Sequence, residues 1–127
     1  DPLMKFTTKQ YVRWDDLDAI GHVNNARYLT FAQEARFAML GLFEMVVARA
    51  EVDFKAPIHE GNIYVDVTIW VESISKSSFT MVYEISGNGT LFAKVKTVQV
   101  TVTEDTKSSR LITDAQRELL NKYLETE

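Results

Sequence analysis

The sequence predicts a two-layer α+β domain, one long helix lying on a curved antiparallel sheet of five strands. Three observations predict it. A helical hydrophobic period occupies one long stretch, residues 26–42, while a period of two recurs in five others. Four of those five follow one another with no long helix between them, the order expected of an antiparallel sheet rather than of alternating strand-helix units. Gly87-Asn88-Gly89, between two alternating runs, is a strong hairpin signal. At 127 residues one domain spanning 1–127 is expected. Asp1-Pro2-Leu3 ahead of Met4 reads as a remnant, with Met4 as the natural start.

From Phe6 to Trp14 the even positions Phe6, Thr8, Gln10, Val12 and Trp14 share one side, which reads as a strand ending at Asp15-Asp16. Residues 15–22 form a loop, and Asn24 or Asn25 is placed to cap the helix that follows. In that helix, 26–42, Tyr28, Ala32, Ala35, Met39 and Leu42 make one stripe, widened by Leu29, Phe31 and Leu40. So broad an apolar arc predicts a helix embedded against a sheet. Gly41 is placed to help end it. Residues 45–56 alternate cleanly, with Val46, Ala48, Ala50, Val52, Phe54 and Ala56 on the buried face and Pro57 as the stop. Ile63 to Val71 and Phe79 to Ile85 give the next two strands, joined through a polar connection, Glu72 to Ser78, that carries Lys76. In the last strand Leu91, Ala93 and Val95 set a phase that flips to Val98, Val100 and Val102, which predicts a bulge or sharp bend beyond Thr97. Thr113 to Gln116 matches a capping box for a short terminal helix. The open face and edges of so long a sheet need cover, and self-association is the simplest.

Composition narrows the function. Apolar residues make up 46% and charged residues 25%, ordinary for a globular chain. A net charge of −4 with both signs interspersed leaves no polybasic footprint for nucleic acid or an anionic membrane. Without cysteine there is no thiolate nucleophile, thiolate metal site or disulfide, which fits a reducing compartment such as the cytoplasm. No apolar run approaches a membrane span.

The chemistry-bearing residues gather between Arg13 and Arg36. Asp16, Asp18, His22 and the pair Asn24-Asn25 fall within ten residues, where a strand passes through an acidic loop into the long helix. A calcium loop starting at Asp16 would need an oxygen ligand at Ile20 and an acid at Arg27, so the spacing fails. Asp18 and His22 could supply two metal ligands, but no further cluster joins them. Asp18 serves equally as a loop-capping carboxylate or as a nucleophile or general base. A helix N-terminus offers unpaired N–H donors and a positive dipole end, suited to a developing oxyanion. His59, beside Glu60 in a turn, reads as surface.

The run V-R-W-x-D-x-D-x-x-G-H-V-N-N-x-x-Y-L, continuing to E-A-R, resembles the 4-hydroxybenzoyl-CoA thioesterase family of hotdog-fold acyl-CoA thioesterases, as does the later V-V-A-R-A-E-V-D-F-K-A-P-I. The resemblance covers nearly the whole chain, and W-D-D-L-D with H-V-N-N-A-R-Y is also similar to plant acyl-ACP thioesterases. It implies a dimer with continuous sheets, often assembled into tetramers, an active site at the subunit interface, and no metal or bound cofactor. The resemblance assigns Asp18 as the catalytic carboxylate and the Asn25 backbone N–H as the donor to the thioester carbonyl. His22 then orients water or substrate, while Gly21, Asn24 and Tyr28 shape the site and Lys76 is placed for the CoA phosphates. Asp16 is read as structural. Two departures stand out: a shorter link from Phe43 to Met45 than the family usually shows, and Ile20 where the plant enzymes carry an asparagine. The activity expected is hydrolysis of an acyl-CoA. An acyl-ACP thioesterase and a non-catalytic acyl-CoA-binding protein on the same fold are the alternatives.

Overall fold

The computed structural model describes residues 4–41 and 43–125. Its elements run β1 (Phe6–Val12), a 3₁₀ turn (Trp14–Asp16), α1 (Asn25–Leu40), β2 (Met45–Phe54), β3 (Ile63–Ile74), β4 (Ser78–Gly87), β5 (Thr90–Thr101) and α2 (Asp114–Asn121). The strands form one antiparallel sheet in the order β1-β3-β4-β5-β2, curved around α1 but not closed. Each element buries the face its period requires. Val65, Val67, Ile69 and Val71 of β3 and Phe79, Met81, Tyr83 and Ile85 of β4 meet Tyr28, Phe31, Ala32 and Ala35 of α1 in one core. This is the fold class the sequence predicts.

Local signals act where expected. Asn24 caps α1, its side-chain oxygen accepting from the Ala26 N–H at 3.0 Å, and Gly41 ends the helix. The stripe position Leu42 lies outside the described residues, as do Asp1 to Leu3. Leu29, placed at the margin of the buried arc, is exposed instead. Asn88 and Gly89 both take positive φ, 51° and 75°, as a two-residue hairpin that matches strand twist requires. Thr113 and Gln116 form the capping box of α2.

The phase flip expected in β5 is not there. Ala93, Val95, Thr97, Gln99 and Thr101 continue one buried face without interruption. The shift lies in the neighbouring strand, where Val47 pairs with Gln99 and Arg49 with Val98, leaving Ala48 as the extra residue of a β-bulge. The bulge changes the predicted facing of β2. Met45 and Val47 come to the helix side ahead of it, and Val52 and Phe54 keep that side beyond it. Hydrophobic pattern misled here because the buried face of β5 is polar: Thr97 and Gln99 bond to Tyr83 and to the Phe79 carbonyl rather than packing as apolar side chains.

β2 is an edge strand exposed on both faces along most of its length, with Val46, Val47 and Phe54 open to solvent, contrary to the buried face its alternation predicts. The opposite edge, β1, leads into the 3₁₀ turn, which is held by a backbone contact. A Cβ on Gly61 would sit 2.6 Å from the Trp14 Cα and 3.0 Å from its nitrogen. Neither backbone can yield without moving the turn. Gly61→Ala is therefore expected to lower stability by about 1–3 kcal/mol, read as a lower denaturant midpoint with an unchanged slope; an unchanged midpoint would refute the contact.

Candidate active site

The site is assembled on the chain between the end of β1 and the first turn of α1. Asp16 organises it. Its carboxylate, 2% exposed, accepts from the Arg13 backbone N–H at 2.8 Å and the Arg13 guanidinium at 3.3 Å. The Arg27 Nε, from the first turns of α1, lies 2.9 Å away as an ion pair, at an angle too poor for an aligned hydrogen bond. The Asp16 carbonyl accepts from the Asn24 N–H at 2.9 Å. One residue thus joins the end of β1 to the start of α1 and sets the loop between them.

Within that loop Asp18 is exposed. Its Oδ1 accepts from the Ile20 and His22 backbone N–H groups at 3.0 and 3.2 Å, while its own N–H donates to the His22 carbonyl at 2.7 Å. Gly21 closes this turn with φ of 77°, a value that costs a side-chain-bearing residue strain. The carboxylate is oriented through one oxygen, and Oδ2 has no partner among the described residues.

Asn25 is the first residue of α1, and its backbone N–H finds no acceptor among the described residues, as expected at a helix start. Val23 is pinned to the segment beyond β2 by its N–H bond to the Ile58 carbonyl at 2.9 Å. Burial raises the Tyr28 pKa above the ordinary 10.0, more than the nearby Ile58 backbone lowers it, so the phenol stays protonated at neutral pH.

A cleft of about 350 Å³ results. It brings together Asp18, His22, Asn24, Asn25 and Tyr28 with Phe54, Ala56 and Pro57 at the end of β2. The Phe54 ring meets Tyr28 edge to face at 5.2 Å. Gly21 shapes the loop without lining the cleft. Lys76 is not brought here within one chain. It sits in the β3–β4 turn, and the twelve-residue β3 separates the two places by roughly 40 Å of strand path.

Two features escaped the sequence reading. His59 is exposed, as read, but its ring also lies 4.7 Å from that of His22, edge to face at 74°. No local pattern links two histidines so far apart in the chain. Arg36 is 7% exposed beneath α1, its guanidinium donating to the Tyr83 hydroxyl at 2.8 Å. A signal existed: Tyr28, Ala32 and Arg36 are spaced by four on the buried side.

Among the described residues no group of three or more His, Asp or Glu side chains is placed to hold a metal ion, and no helix is long and apolar enough to cross a membrane.

This arrangement, a curved antiparallel sheet around one long helix, is the hotdog fold. A family model described as the thioesterase-like superfamily matches residues 12–122, and the chain belongs to that superfamily. A predicted thioesterase from Bacillus stearothermophilus is similar, with 28% identity over 98% of this chain and 99% of that one and a TM-score of 0.89. A thioesterase from Thermus thermophilus, solved with coenzyme A and Zn, shares 30% identity over 91% and 92% of the two chains, with a TM-score of 0.83. A 1,4-dihydroxy-2-naphthoyl-CoA thioesterase from Synechocystis shares the fold at 23% identity over 92% and 96%, with a TM-score of 0.80. A comparison with curated proteins finds no match.

The Asp16 knot predicts the order of loss on mutation. Asp16→Ala leaves the Arg13 N–H and the Arg27 guanidinium without their acceptor and is expected to cost about 1–3 kcal/mol. Differential scanning calorimetry checks it, and a loss under about 1 kcal/mol would remove Asp16 from its central place.

Proposed function

We propose that the protein is an acyl-CoA thioesterase, converting an acyl-CoA and water to a carboxylate and the free thiol of coenzyme A. The observation that carries this reading is the placement of Asp18. Its Oδ1 is tied to two backbone N–H groups while Oδ2 is unpartnered, in a cleft that also holds the unpaired N–H of Asn25. A thioester carbonyl placed on that N–H would meet the positive end of α1, where negative charge developing on its oxygen is stabilised. Asp18 then attacks the carbonyl carbon and expels the CoA thiolate, leaving an acyl anhydride that water hydrolyses to the free acid and the Asp18 carboxylate, or it takes a proton from a water that attacks directly; in either route the C–S bond breaks and the thiolate takes up the proton released from water. His22, steadied by the His59 ring, faces the same cleft to position water or substrate. Tyr28, a neutral phenol, and Asn24 complete the wall. Lys76 is retained as a contact for the CoA phosphates reached only across a subunit boundary.

The active unit in this reading is a dimer through β2. Its open edge, with Val46, Val47 and Phe54 exposed, offers unpaired backbone donors and acceptors beside apolar surface, and the exposed Leu29 and Phe37 of α1 extend that surface. Pairing two β2 strands antiparallel about their middles lays Met45–Val47 of one copy beside the Phe54 end of its partner, joining each cleft to the partner's α1. Tetramers would form from two such dimers. No metal or bound cofactor takes part, and the cytoplasm is the proposed location.

The test is thiol release from a panel of short, medium, long and aryl acyl-CoAs. Asp18→Asn is expected to lower kcat by about 100-fold or more with an unchanged circular dichroism spectrum, while dialysis against EDTA leaves the rate intact. Undiminished turnover in the variant overturns the role of Asp18. Binding of acyl-CoA with no hydrolysis favours the non-catalytic reading, and hydrolysis of acyl-ACP alone the carrier-protein one. For the assembly, Val47→Glu is expected to split the β2 pairing and shift sedimentation to a smaller species than the wild type's, with loss of activity; a variant that sediments as the wild type does refutes pairing through β2.

A further inference from the structure

A second cleft, of about 510 Å³, lies between the last turns of α1 and the start of β2. Phe37, Phe43, Met45 and Val47 give it apolar walls, and Arg36 gives it a charged floor. Arg36 is the unusual member: it is only 7% exposed, yet no carboxylate among the described residues lies within ion-pair distance of it. Glu34 is on the rim of the same cleft and does not pair with it.

The hydrogen bonds around Arg36 do not neutralise it. Its Nη1 donates to the Tyr83 hydroxyl at 2.8 Å, Tyr83 meets Thr97 Oγ1 at 2.7 Å, Thr97 donates to the Gln99 side-chain oxygen, and Gln99 Nε2 donates to the Phe79 carbonyl at 3.2 Å. With Thr97 giving its proton to Gln99, Tyr83 gives its own to Thr97, so donation runs one way, outward from the guanidinium. Burial raises the Tyr83 pKa above 10.0 in spite of the nearby Arg36 charge and the bonds to Thr97 and Arg36, which lower it. Tyr83 is therefore a neutral phenol and brings no negative charge. The remaining Arg36 nitrogens are not sealed in the core without partners, since Arg27 Nε is the buried unpartnered side-chain nitrogen among the described residues. They open onto the cleft. A guanidinium anchored through Nη1 on Tyr83, largely buried, and open on one side to an apolar slot is suited to one anionic oxygen group in planar, two-point contact.

We propose that Arg36 selects an acyl group ending in a carboxylate, so that the substrates are ω-carboxyacyl-CoAs. The proposal rests on the acyl-CoA reading and on the antiparallel pairing of β2. That pairing sets this cleft beside the partner's Asp18 cleft, so an acyl chain whose thioester lies on one subunit runs between Phe37 and Val47 of the other toward Arg36. The walls take the methylenes and Arg36 takes the far end.

The experiment compares matched pairs on the wild-type enzyme: malonyl- with propionyl-CoA, succinyl- with butyryl-CoA, and glutaryl- with valeryl-CoA, each corrected for non-enzymatic hydrolysis. At least one carboxylated member is expected to exceed its methyl-ended counterpart about tenfold in kcat/KM, chiefly through KM. Arg36→Gln should reverse that preference while retaining turnover of the methyl-ended member, and Arg36→Lys should keep part of it. Faster turnover of the methyl-ended member in all three pairs of the wild type overturns the proposal, whether or not the variants fold. If no acyl-CoA is hydrolysed, the thioesterase reading fails separately, and thermal shift decides the anion site. A saturable rise in Tm with free succinate or glutarate, absent with butyrate or valerate, upholds the site, and no rise overturns it.

Discussion

The arrangement of the site depends on the buried carboxylate of Asp16. There the end of β1, the 3₁₀ turn and the start of α1 share partners: the Arg13 N–H, two arginine side chains, and through its carbonyl the Asn24 N–H. Two residues on, Asp18 has the same chemistry and the opposite circumstance. Asp16 is enclosed and has committed its acceptor capacity to neighbours. Asp18 is exposed and tied through one oxygen only. Environment sets two carboxylates two residues apart in opposite circumstances, and the enclosed one ties together the two ends of the loop that carries the other.

The second constraint is the edge of the sheet. β1 ends in a turn that packs its Trp14 backbone on Gly61, just ahead of the paired strand β3. β2 is exposed along most of its length, and the bulge at Ala48 turns Met45 and Val47 toward α1 while Phe54 beyond it reaches Tyr28. One strand therefore supplies walls to two clefts at its two ends. A strand that lines a cleft at each end and leaves its hydrogen-bonding edge free is a template for pairing, and in the proposed dimer its own copy would bring unlike clefts together.

Much of this was legible in the sequence, for identifiable reasons. The helix, the capping by Asn24, the hairpin at Asn88-Gly89 and the capping box at Thr113 follow from short-range chemistry that tertiary packing did not overrule. Asp18, His22, Asn24, Asn25 and Tyr28 lie in one continuous segment, so their convergence needed only a loop and a helix start. What failed was long-range or polar. The pairing of His22 with His59 depends on how the chain after β2 returns to the loop. The phase of β5 was misread because Thr97, Gln99 and Thr101 face inward, and pattern reading assigns the inward face to Val98 and Val100. The same cause hid Arg36, since a charge on a buried stripe is discounted until the polar strand opposite it is known.

That polar strip is costly. Burying a guanidinium in a medium of low dielectric carries a desolvation penalty of several kcal/mol that hydrogen bonds to neutral groups do not fully offset. Aliphatic side chains at the positions of Arg36, Tyr83, Thr97 and Gln99 would fill the space between α1 and the sheet with none of that penalty, as the apolar row of β3 does in the same core. The network satisfies Thr97 and Gln99 and leaves the remaining guanidinium donors accessible at the cleft. A purely structural arginine at this depth would be expected to face an acid. No carboxylate among the described residues pairs with this one, so its charge is directed outward, toward whatever enters the cleft.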